Sequence, residues 1–145
     1  MSIHSIGFIY AIGAAIAWGL AYTIDQKILA DMPPVILLFV SFVIGTILLL
    51  PAVLTQSGSL VSILTLSKAR VFLILFSIAL ATLANYLIFA SIERLGASLA
   101  SVFEIAYPLF VFLFSFLIFG SELNIYVLAG SILIFLGSAI IMRFG

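Results

Sequence analysis

An acidic side chain inside an apolar helix is the residue in this sequence that most needs a chemical explanation. Glu104 lies seven residues into the apolar run that begins at Ala97, and four residues ahead of Pro108. An ionised carboxylate at that depth costs several kcal/mol unless it is paired or wet. It must therefore face a cavity or a protein partner, or carry a proton; it does not face lipid. The functional reading is a substrate-contact or coupling residue whose proton exchanges. The structural alternative is a protonated acid capping a backbone carbonyl near Pro108, because proline leaves a carbonyl one turn back without its donor. Ala97, Ser101, Glu104, Pro108 and Ser115 share one helix face, which places Pro108 as a hinge beside the acid.

Other candidates sit on neighbouring apolar segments. Gly7, Ala11, Ala14, Trp18, Ala21, Tyr22 and Asp25 recur at steps of three and four, with Ile9, Ile12, Ile16 and Leu20 on the opposite side. Small residues let helix backbones approach and branched apolar ones suit lipid, so the first stripe faces protein. Trp18 is too deep for an interfacial belt residue, and with Tyr22 it reads as an aromatic cavity wall. Asn85 and Tyr86 interrupt a third apolar stretch; Asn85 would contact a substrate or bond to another helix. Tyr107 offers a hydroxyl to a substrate. Gly130 and Gly137 lie seven apart, each followed by serine, a close-packing surface suited to a second subunit.

Much chemistry is excluded. With no cysteine there is no disulfide, thiolate nucleophile or thiolate metal site. The single histidine, His4, is expected at the interface rather than on a metal. No phosphate-cradling glycine loop, nucleophile elbow or metal-spaced cluster occurs, so neither a metal, a cofactor nor an enzymatic reaction is expected. Formal net charge is zero, which leaves no electrostatic footprint for nucleic acid.

These residues are held in a chain that must lie in a bilayer. Of its 145 residues 66% are hydrophobic and 7% charged, and mean hydropathy is +1.50. Soluble domains are nearer half apolar and about a quarter charged, and a chain this short cannot bury so much apolar surface in a globule. The opening MSIHSIG lacks Lys and Arg, unlike a cleaved signal, and the run after it is expected to stay as a first helix. Spans of roughly 20 apolar residues fall at about 3–24, 34–54, 71–91, 97–119 and 125–142. Between the second and third, TQSGSLVSILTLSKAR is expected on the membrane surface. Asp25, Lys27 and Asp31 could pair at helix spacing, and Glu122 reads as a solvated turn residue or a cap for the last helix.

Five spans put the termini on opposite faces. Lys68 and Arg70 lie on the N-terminal side, and Lys27, Arg94 and Arg143 on the other. Two against three barely sets an orientation, so a single weakly specified topology and insertion in both directions stand equally.

The stretch AIAWGLAYTIDQKILADMPPVILLFV resembles the opening of an EamA domain of the drug/metabolite transporter superfamily, with its Trp-Gly pair and prolines opening the second helix. The closing stretch ASLASVFEIAYPLFVFLFSFLIFGSELNIYVLAGSILIFLGSAIIM resembles that domain's most recognisable part. Glu104, Pro108, Gly120, Glu122, Gly130 and Gly137 match its acid, proline, Gly-x-Glu turn and glycine-containing last helix. The run from Gly130 to Gly137 also resembles the dimerising last helix of small multidrug resistance proteins, although the acid those carry in mid first helix is missing. The resemblance implies an all-α polytopic membrane protein whose five transmembrane helices form one inverted-repeat half of a ten-helix transporter. Typical members hold two such halves in one chain. A single half would pair with an antiparallel second copy or a homologous half-unit. The implied function is export of small metabolites, amino acids or drugs across the cell (inner) membrane, with proton coupling through Glu104. A lipid-linked substrate flippase subunit and a non-transporting interaction or regulatory protein are the alternatives.

Overall fold

The computed structural model describes residues 3–56, 63, 65–122 and 124–144, without the side chains of residues 3 and 4. The expected interfacial place of His4, and that of residues 57–62 and 64 of the surface segment 55–70, lie outside the described residues. The rest forms helices: α1 (Ile3–Ile28), α2 (Pro34–Leu54), α3 (Lys68–Leu95), α4 (Ala97–Glu104), α5 (Tyr107–Phe119) and α6 (Ile125–Phe144). Five stretches are long and apolar enough to cross a membrane: Ser5–Ile28, Pro34–Leu54, Lys68–Leu95, Ala97–Phe119 and Ile125–Phe144. The chain is a multi-pass α-helical membrane protein. Only 6–11% of each span is buried, so lipid or further protein must cover the remaining apolar surface.

Two helices outrun their apolar segments. α1 continues past residue 24 through Asp25 and Lys27, and α3 takes in Glu93 and Arg94. The backbone ladder does not stop where side chains turn polar, because helical bonding satisfies the same N–H and C=O groups on either side of that boundary. The fourth span differs more: it is two helices, α4 and α5, broken at Ile105 and Ala106.

Helix ends are fixed by specific residues. Pro34 opens α2, where its missing N–H costs little. Gly120 ends α5 at φ +61° and donates to Phe116 O at 3.0 Å, and the Ser121 N–H reaches back to Ser115 O at 3.4 Å. Such a left-handed cap favours glycine. Asn124 caps α6, its Oδ1 accepting from the N–H groups of Tyr126 (3.0 Å) and Val127 (3.3 Å). That cap was a role open to Glu122, which is an exposed turn residue instead. Asp25, Lys27 and Asp31 form no ion pair among the described residues, whereas Glu93 and Arg94 approach at 3.7 Å.

The chain divides into two compact units, Met1–Lys27 with Ser91–Gly145, and Ile28–Ala90. In the first, Tyr22, Ile92, Ala97, Ala100, Ala106, Ser131 and Ser138 are buried. There α6 packs against α4 and α5, and α1 is tied to α4 by polar contacts. In the second, Leu29, Leu37, Leu38, Ile88 and Phe89 are buried.

Candidate functional site

Glu104 is the last residue of α4, at the break in the fourth span. Pro108 is the midpoint of that 23-residue span, and Glu104, four residues earlier, is roughly 6 Å away along the axis. Pro108 has no N–H for the Glu104 carbonyl, so the regular ladder cannot continue there. The bonds around it shorten to three-residue steps, Ala106 N–H to Phe103 O and Leu109 N–H to Ala106 O, both at 3.2 Å. Proline then occupies the first turn of α5, where it costs little.

α1 supplies the partner of the acid. The Tyr22 hydroxyl donates to Glu104 Oε1 at 2.9 Å, and Tyr22 is only 7% exposed. The carboxyl group is thus bound to another helix through Oε1. One turn earlier, the Trp18 ring lies 5.3 Å from that of Tyr22, tilted by 47°. A cavity of about 390 Å³ opens here, lined by Ala15, Trp18, Gly19 and Tyr22 of α1 and by Ser101, Val102, Glu104, Ile105 and Tyr107 of the broken span. Its lining holds one carboxylate, three aromatic side chains, and neither Lys, Arg nor His. Trp18 and Tyr107 remain 51% and 60% exposed.

The register of α1 against α4 is set one turn beyond Tyr22. Gln26 Oε1 accepts the Ala97 N–H at 2.7 Å, capping α4 from another helix because Gly96, at φ +80° and ψ 160°, has no side chain to do so. A Cβ at Gly96 would stand 3.4 Å from Gln26 Oε1. On the other side of α4, Ser138 of α6 shares its hydroxyl proton between Val102 O (2.8 Å) and Ile134 O (3.0 Å). A second cavity of about 170 Å³, lined by Phe103, Ala106, Phe110, Phe135, Ser138, Ala139 and Met142, lies between α6 and the break.

Of the residues singled out in the sequence, Trp18, Tyr22, Glu104 and Tyr107 converge on one cavity, with Pro108 at the break that shapes it. Asn85 lies in the other unit and donates from Nδ2 to Ala81 O of its own helix at 2.8 Å. Gly7, Gly130 and Gly137 meet nothing within 4 Å of where a Cβ would stand. Within this chain the buried positions of α6 are instead Ser131 and Ser138, the residues after each glycine. Gln26 and Ser138 were not anticipated; a lone glutamine at a helix end, and serines repeating at seven, were the signals available.

The model of the EamA-like transporter family matches residues 5–143, from the first turn of α1 to the last turn of α6. No curated protein and no solved structure matches the chain. The matched region contains the acid, the proline break and the aromatic wall just described. With nearly its whole length matched, the chain belongs to the EamA-like transporter family.

Proposed function

We propose that this chain is one five-helix unit of a secondary transporter that exports small metabolites, amino acids or drugs across the cell (inner) membrane, with Glu104 coupling transport to proton movement. The observation that carries this reading is the Glu104–Tyr22 bond at a mid-span helix break on a cavity wall. Secondary transporters build their substrate and ion sites from discontinuous helices near the midplane, where freed backbone and polar side chains can line a cavity. About 390 Å³ falls within the roughly 300–1,000 Å³ common for small-molecule sites.

The same cavity motivates a second unit. Trp18 and Tyr107 are more than half exposed, and the stripe of α1 from Gly7 to Ala14 is uncovered. An inverted five-helix unit, a second copy or a homologous half, would roof the cavity and cover that stripe. An odd number of spans and nearly balanced Lys/Arg fit an antiparallel pair. Rocking of the two units would then expose the site alternately to each side.

Reconstituted protein bearing Glu104→Gln tests the coupling role. Gln retains an oxygen that accepts the Tyr22 hydroxyl, so the fold persists while proton-coupled transport is lost. Transport by the variant at the wild-type rate and with wild-type pH dependence would sink the role given to Glu104.

A further inference from the structure

We infer that the cavity beside Glu104 takes a compact organic cation, an amine or a quaternary ammonium ion, in exchange for the Glu104 proton. This rests on the transporter reading above and narrows its substrate class. The lining carries a single acid and no basic side chain, with Trp18, Tyr22 and Tyr107 supplying ring surface. Aromatic faces attract cations through their quadrupole, most strongly where water is excluded. A carboxylate in the same cavity gives the charge its counter-ion. An anionic substrate would meet Glu104 with nothing to neutralise it. A zwitterionic amino acid would find a partner for its ammonium group and none here for its carboxylate.

Charge balance fixes the exchange. Protonated Glu104 is neutral; when a monovalent cation enters, the proton leaves to water and the site's net charge is conserved. The Tyr22 hydroxyl, 2.9 Å from Oε1, can donate to a carboxylate or to the carbonyl oxygen of the acid, so it holds Glu104 in place through both states. The titratable groups sharing the cavity with Glu104 are Tyr22 on α1 and Tyr107 on α5; α6 contributes none to the lining, and Asp25, one turn beyond Tyr22 on α1, lies outside it.

The chain's single tryptophan is Trp18, on the cavity wall, so its fluorescence reports occupancy directly. Purified protein in liposomes is titrated with benzyltrimethylammonium, with phenylalanine and with benzoate, at several pH values. The inference predicts saturable quenching by the ammonium ion alone, tightening as pH rises. It predicts roughly ten- to hundredfold weaker, pH-independent binding in Glu104→Gln, and retention in Glu104→Asp, which keeps the charge. Saturable binding of benzoate or phenylalanine as tight as that of the cation, equal cation binding by Glu104→Gln, or no saturable response to the cation overturns it. Each of those results leaves the transport assay of Glu104→Gln to decide the broader reading separately.

Discussion

Tyr22→Phe removes one oxygen from the site and little else. The phenyl ring keeps the buried position and the 5.3 Å contact with Trp18, so the change isolates the 2.9 Å bond to Glu104 Oε1. Interhelical hydrogen bonds inside membranes are worth about 0.6 kcal/mol on average and at most about 1.7. An ionised acceptor raises the general range to about 1.5–3 kcal/mol. The expected coupling is therefore about 0.6 kcal/mol with Glu104 protonated and about 1.5 kcal/mol with it ionised. Equilibrium unfolding in mixed micelles, followed by Trp18 fluorescence, provides the assay. A double-mutant cycle of Tyr22→Phe with Glu104→Leu, which fills similar space without an acceptor, extracts the coupling. It should reach at least about 0.6 kcal/mol. Additivity within about 0.3 kcal/mol would refute the claim that this bond ties α1 to the broken span.

Two further outcomes follow from the same geometry. Gly96→Ala should destabilise the protein by about 1–3 kcal/mol, the cost of forcing a side chain into a region near φ +80° that only glycine occupies readily; an unchanged unfolding midpoint would contradict the described entry into α4. For the inverted pairing, Asp31→Cys and Ser121→Cys, in loops on opposite faces, should each be labelled by an impermeant reagent from outside intact cells in comparable amounts. Labelling of only one of them removes the antiparallel homodimer and leaves pairing with a differently oriented partner.

Hydropathy made the five spans legible because roughly 20 apolar residues are what a bilayer demands. The acid four residues before a proline pointed to the site for a related reason: a carboxylate in lipid is too costly to leave unexplained. Other features depend on partners distant in sequence. That the Tyr22 hydroxyl donates to Glu104 is a contact between residues 82 apart. The cap from Gln26 to Ala97 spans 71. Periodicity placed Gly130 with Gly137 and equally Ser131 with Ser138; which pair turns inward is decided by the Ser138 hydroxyl finding Val102 O. The break at Ile105 and Ala106 was foreshadowed by Pro108, yet proline alone does not separate a kink from an interruption.

The central claim is that Glu104 faces a cavity water can enter, and one accessibility measurement tests it most directly. The chain has no cysteine, so Ser101→Cys places a single thiol on the cavity wall and Ile16→Cys a control on the expected lipid-facing side of α1. A water-soluble maleimide supplied to both faces of the membrane should react readily at position 101, be slowed there by benzyltrimethylammonium, and leave position 16 unmodified. Equal inertness at both positions would mean a dry interior, with Glu104 a buried structural polar group and the chain a non-transporting membrane protein.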